Sequence, residues 1–238
     1  MAFYAGFDAA VYPGDATMAW LKRHSNLSWC AYYLAPAPNL LAAATSWRGR
    51  RAALAGNWGL APVYVGQQVR HGASAVSAVL TFNQGCVDAQ QAVDNARRDG
   101  FVGGSCIYLD WEDGGALASD SESYVSGWMV TLRARGFAPG LYCSHRLADD
   151  FANLMARLQP RMLVRFWCWA VASSAEHPLL SPLTELPRPD PAGCGYPSAA
   201  LWQREQNAWF DTPPGSPQPG QRILLDVDTA NLADPGAA

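Results

Sequence analysis

The chain has 238 residues, half of them apolar, with 17 basic and 20 acidic side chains and a formal charge of −3. That size and composition suit one large α/β domain or two small ones with a filled core. The charge leaves no electrostatic footprint for nucleic acid, and no apolar run is long enough to span a bilayer. The six cysteines include no Cys-x-x-Cys pair, which argues against a zinc site. Most of them sit in apolar runs as small hydrophobes, Cys86 and Cys194 lie in loop-like contexts open to oxidation, and no disulfide is expected.

Tyr4 to Phe7 reads as a short buried strand that ends on Asp8. A helix then runs from about Gly14 to Ser25, with Asp15 placed to cap it. Trp29 to Leu34 is a second strand, closed by Pro36 and Pro38. Thr45 to Ala55 has a helical pattern that Gly56 stops, and its Arg48, Arg50 and Arg51 read as a solvated face. Pro62 to Val65 is a third strand, opening into Gly66, Gln67 and Gln68. Ala89, Ala92, Val93 and Ala96 mark a helix over Val87 to Arg98.

Strand four, Ile107 to Leu109, runs into Asp110, Trp111, Glu112 and Asp113 before two glycines. Strand side chains alternate, so Asp110 and Glu112 share one side and Trp111 turns to the other. Two carboxylates side by side at a strand mouth push their pKa values apart, which is the condition for acid–base work on one bond. Further on, Ser121 to Arg135 is helical, Pro139 to Cys143 is a fifth strand, and Leu147 to Leu158 is a helix that Pro160 terminates. Met162 to Ala170 is a sixth strand. Residues 173–198, rich in proline and glycine, read as an irregular excursion. Ala200 to Gln203 is a seventh strand, Thr212 to Gly220 a loop, and Ile223 to Asp226 an eighth strand followed by Val227 and Asp228.

About eight short apolar strands with helical crossovers predict an α/β fold: an irregular (β/α)8 TIM-like barrel forming a single domain over residues 1–238. An open doubly wound sheet is the alternative, but Gly6 to Ala10 offers no glycine-rich phosphate turn. In a parallel barrel, active groups gather at the carboxyl ends of the strands. Asp8, Asp110, Glu112, Asp226 and Asp228 all fall at such ends and converge on one mouth. Gln67, Tyr142, Trp169, Trp202 and Gln203 also fall there and would supply polar donors and flat aromatic surfaces to a carbohydrate cleft. Asp8 could instead bond only backbone amides. Of Asp226 and Asp228, one is expected to point inward and the other into solvent. His145 stands at a strand mouth as a possible proton carrier, while His24, His71 and His177 show no metal-ligand spacing.

Several segments, in order, are familiar: Gly6-Phe7-Asp8, Val63 to Gln68, Asp88 to Ala92, Ile107 to Glu112, Gly140 to Ser144, Trp167 to Ala170, Leu201-Trp202-Gln203 and Asp226-Val227-Asp228. Together they resemble family 25 lysozymes and, more closely, their bacterial glycoside hydrolase-like relatives. The resemblance implies an irregular β/α barrel acting on the glycan strands of peptidoglycan, as a muramidase does. It implies Glu112 as the proton-donating acid, with Asp110, Asp8 and Asp226 as the other catalytic acids, Asp228 being the alternative match for the aspartate of the last strand. Gln67, Tyr142, Trp169, Trp202, Gln203 and Asp228 would then bind substrate. The chain departs from the lysozymes after Asp8, where Ala9, Ala10 and Val11 replace a polar continuation, and in the excursion after strand six.

The expected function is therefore a glycoside hydrolase acting on cell-wall glycan. The expected partner is peptidoglycan or a related glycan, with no nucleic acid, no membrane insertion, no cofactor and no metal, and the chain is expected to be a monomer. The alternative is a sugar- or peptidoglycan-binding barrel without turnover. A phosphoesterase holding a metal on the same acids ranks below both. The N-terminus enters a strand without the basic and apolar regions of a cleaved signal. The expectation is synthesis in the bacterial cytoplasm and action on the wall after non-classical export or lysis.

Overall fold

A computed structural model of the chain describes residues 2–39, 42–68, 78–158 and 162–237, so His71 and Pro160 lie outside the described residues. Nine strands form one sheet: β1 Tyr4–Asp8, β2 Leu27–Tyr33, β3 Gly59–Val65, β4 Cys106–Asp110, β5 Ala138–Ser144, β6 Arg165–Trp169, β7 His177–Pro178, β8 Ala199–Asp211 and β9 Arg222–Ala230. Strands β1 to β6 are parallel neighbours in chain order. Pairing of β6 with β8, and of β8 through β9 back to β1, closes the barrel, and the two-residue β7 lies outside it on β8.

The irregularity sits in the second half. β9 runs antiparallel to both β8 and β1, so the last two strands form a long hairpin rather than two β/α units. No helix crosses from β6 to β8; residues 173–198 carry only β7 and two short 3-10 turns. Elsewhere the crossovers are α1 Asp15–His24, α2 Arg51–Leu54, α3 Phe82–Arg98, α4 Ser119–Ala134 and α5 Ala148–Arg157. The single helix expected over Thr45 to Ala55 is broken into a 3-10 turn over Ala42–Trp47 and the four-residue α2. Gly49, at φ 76°, supplies the left-handed residue between them. Asp15 is the first residue of α1 rather than its cap. Its carboxylate accepts from the Tyr12 hydroxyl, and Gly14 occupies the cap position.

Two apolar layers hold the barrel. The outer one lies between strands and helices and includes Phe7, Ile107, Leu109, Val93, Trp128 and Phe151. The inner one fills the barrel with Trp29, Tyr108, Tyr142 and Trp167 against small neighbours such as Ala31, Ala61 and Ala230. Trp167 meets the other three rings edge-on, at centroid distances of 5.3–5.7 Å, the arrangement aromatic quadrupoles favour. Four large rings fit only because their neighbours are small. A Cβ on Gly6 would stand 2.0 Å from Cε2 of Trp29. The C-terminal segment closes the opposite end: Tyr108 Oη donates to the Pro235 carbonyl, and the Cys106 N–H to that of Gly236. The filled interior leaves room for a ligand only at the mouth.

Candidate active site

Asp8 and Asp110 are the last residues of β1 and β4, so their carboxyls stand at the carboxyl-end mouth. Glu112 follows on the same side as Asp110. Trp111 turns the other way into the outer core against Tyr124 and Phe151, as strand alternation requires. Gln68 clips this exit loop in place. Its amide donates to the Asp110 carbonyl at 2.8 Å, and its own carbonyl accepts from the Glu112 N–H at 3.2 Å.

Asp226 reaches the same mouth by a different route from the one expected. Because β9 is antiparallel, its carboxyl end points to the closed base and Asp226 lies mid-strand, in register with Asp8. Residues two apart on a strand share a face, so Asp226 and Asp228 both point inward. The expectation that one of them is solvated fails: Asp228 is fully buried, in register with Gly6 one step below.

Gln203 is the hub. Its carbonyl oxygen accepts from Tyr142 Oη at 2.9 Å, which fixes the amide so that Nε2 donates to Asp8 Oδ2 and Asp226 Oδ2, each at 3.0 Å. Tyr33 Oη donates to the other oxygen of Asp8 at 3.0 Å, and the Asn207 N–H donates to the other oxygen of Asp226. Asn207 has φ 56°, a left-handed conformation that asparagine tolerates, at a register break in β8. The bulge turns its N–H toward Asp226.

These groups surround a cleft of about 360 Å³ lined by Asp8, Tyr33, Gln68, Asp110, Glu112, Tyr142, Trp167, Gln203, Asn207 and Asp226 among others. No Lys, Arg or His is among its described lining residues. Burial dominates the electrostatics. It raises Asp8 to about 6, against the pull of the Gln203 and Tyr33 hydrogen bonds. Burial, helped by the Asp8 charge, raises Asp226 to about 8. Asp110 lies well above the usual carboxylate range through burial, then through the charges of Glu112 and Asp8. Glu112 is raised by desolvation and by Asp8. It is exposed at the rim, and its contact with Asp110 works against that rise. Asp110 and Glu112 are within hydrogen-bond reach of each other, and Asp110 Oδ1 is buried without another partner among the described residues. A single proton shared by the two carboxyls would relieve the repulsion between them.

Asp8, Asp110, Glu112, Asp226, Tyr142 and Gln203 thus meet in one cleft, while four other expected residues do not line it. Gln67 points away, donating to Asp88 at 3.3 Å, because the neighbouring Gln68 takes the inward position. Trp202 alternates outward from Gln203, and its indole donates to the Ala170 carbonyl. Trp169 shares the inward face with Trp167 but packs beside Gly114 at the flank of the mouth. Asp228 lies beneath the floor. His145 also stands off the cleft, its Nδ1 3.1 Å from the Trp169 carbonyl oxygen. Tyr33, Gln68 and Asn207 were missed. Alternation from Trp29 through Ala31 points to Tyr33, whereas nothing in sequence marks the bulge at Asn207.

All six cysteines are free thiols, and neither Cys86, within α3, nor Cys194, buried in a 3-10 turn, has the loop context expected of it. Among the described residues no group of His, Cys, Asp or Glu is arranged to hold a metal ion, and no helix is long and apolar enough to cross a membrane.

A closed, irregular β/α barrel with an acid-lined cleft at its carboxyl end defines a glycoside hydrolase-like class. The chain belongs to the Rv2525c-like, glycoside hydrolase-like domain family, whose model matches residues 21–212. No curated protein matches it. Among solved structures, the Mycobacterium tuberculosis Tat-secreted protein Rv2525c, in complex with L-tartrate, is 14% identical with a TM-score of 0.59, covering 98% of this chain and 97% of that one. A Bacillus stearothermophilus protein is 18% identical, with 96% of both chains covered and a TM-score of 0.56. The catalytic domain of endolysin ply40 from Listeria monocytogenes bacteriophage P40 is 9% identical over 97% of this chain and 94% of that one, with a TM-score of 0.54. At such identities the likeness establishes the common barrel.

Proposed function

We propose that this barrel, acting as a monomer and as one domain over residues 1–238, hydrolyses a glycosidic bond in bacterial cell-wall glycan with Glu112 as proton donor. The observation that carries the reading is the solvent-reached Glu112 carboxyl beside the buried Asp110, across one cleft from Asp8 and Asp226. The choice of wall glycan is supported by the family and by the barrel shared with an endolysin catalytic domain. Glu112 gives its proton to the bridging oxygen as the bond to the anomeric carbon breaks, and Asp110 behind it supplies the proton the pair shares. Positive charge grows at the anomeric carbon. Asp8, ionised above about 6 and held by Tyr33 and Gln203, faces that charge. Asp226, fixed by Gln203 and the Asn207 N–H, orients the water that forms the new bond to the anomeric carbon, directly or after a substrate acetamido group has formed it first. The proton that water releases restores the Asp110–Glu112 pair.

The test is incubation of purified peptidoglycan with wild type and Glu112→Gln, scoring new reducing ends and fragment masses. The variant keeps the shape but has no proton to give, so the rate should fall about 10²- to 10⁴-fold. Wild-type-like release by Glu112→Gln removes the assignment, and glycan binding by wild type with no new reducing ends makes the barrel a binding module.

A further inference from the structure

Asp228 is 0% exposed and does not line the cleft. Its Oδ1 accepts from Trp167 Nε1 at 2.9 Å, and that indole is clamped edge-on among Trp29, Tyr108 and Tyr142. Its Oδ2 is equally buried and has no donor among the described residues. The groups packed around it are known element by element. β1 brings Asp8, with the side-chain-less Gly6 as register partner; β9 itself brings Asp226; β6 brings Trp167. β8 brings Gln203, whose amide N–H bonds are already given to Asp8 and Asp226. The charges that act on Asp228 are thus both acidic. An ionised Asp228 would set a dry carboxylate oxygen against the Asp8 carboxyl with nothing between them. A proton on Oδ2 turns that contact into a hydrogen bond.

We propose that Asp228 keeps its proton through neutral pH and donates from Oδ2 to Asp8, as a positioning residue that holds the Asp8 charge in place. Asp8 then receives three donors: the Tyr33 hydroxyl, the Gln203 amide and the Asp228 carboxylic acid. Burial and the Asp8 charge hold Asp228 well above the usual carboxylate range, and the contact with Asp228 draws Asp8 down. The use of the Asp8 charge in catalysis rests on the proposed cleavage; the protonation of Asp228 does not.

Asp228→Asn offers the same acceptor to Trp167 and the same donor to Asp8 without a titrating group. The test is urea unfolding of both full chains from pH 5 to 9, where the slope of stability against pH gives the protons taken up on folding. Wild type should take up one proton more than Asp228→Asn at pH 7, because Asp228 ionises in the unfolded chain; equal uptake overturns the proposal. Should the variant not fold, the wild type decides alone. An atomic-resolution crystal structure at pH 7 should show unequal Asp228 C–O bonds, the longer to Oδ2, and equal bonds overturn the proposal. In the glycan assay, Asp228→Ala should move the acid limb of the pH profile upward, since Asp8 has lost a donor. An ionised Asp228 gives the opposite shift.

Discussion

Replacing Gln203 by leucine tests whether the cleft is held by its amide hub or merely by packing. The side chain is 2% exposed and of leucine-like volume, so the change removes three hydrogen bonds and little else. Two of them go to carboxyls that are ionised at high pH, where a hydrogen bond to charge contributes about 1.5–3 kcal/mol, and the third leaves the buried Tyr142 hydroxyl without its acceptor at about 1 kcal/mol. The bonds are coupled, so the expected loss at pH 9 is about 4 kcal/mol rather than the full sum. At pH 5, below the values of about 6 and about 8 for Asp8 and Asp226, both acids are neutral. Neutral bonds contribute less, and the expected loss there is roughly 2 kcal/mol. Urea unfolding of wild type and variant at the two pH values measures both numbers. A loss below about 1 kcal/mol, or the same loss at both pH values, would refute the hub.

The wild-type protein should lose stability as the medium becomes more alkaline. Asp8 and Asp226 have folded-state pKa values above the ordinary 3.8, so the folded state binds more protons and stability falls as pH rises from about 4 through about 8. Asp8 alone sets an upper bound of about 3 kcal/mol on its share, from a rise of roughly two pH units. A melting temperature that rises between pH 5 and pH 9 would contradict this. At the bulge, Asn207→Gly should fold normally, whereas Asn207→Val should lose about 1–3 kcal/mol, since a β-branched residue resists φ 56°. Equal thermal stability of the two variants would show that the left-handed turn bears no strain.

Most of the barrel is legible in the sequence because strand and helix periods are local. β1, β4 and β5 are readable as apolar runs cut by acids, glycine or proline, and the strong alanine pattern marks α3. The direction of β9 is not legible. Its run Ile223-Leu224-Leu225 carries no sign of whether the preceding loop returns the chain along its own strand or across a helix. What settles the direction is the pairing of Trp209 with Leu224 and of Phe210 with Ile223, a long-range matter. The broken helix between β2 and β3 fails for a local reason instead: Gly49 interrupts the pattern at a left-handed position.

The cleft shows the same division. Asp110, Glu112 and Gln203 follow from alternation along single strands, and so could the outward turn of Trp202, once Gln203 faces inward. Asp226 arrives at the mouth only because an antiparallel strand sets it opposite Asp8, with Asp228 opposite Gly6. A parallel β9 ending at Asp226 would have presented one carboxyl at the rim and released the next into solvent. The reversed strand instead sinks Asp228 beneath Asp8, where the charges that act on it are both acidic. The barrel's irregular last turn is therefore what brings Asp226 and Asp228 in beside Asp8, with one amide donating to two of the three, and no basic side chain lies among the described lining residues to pair with them.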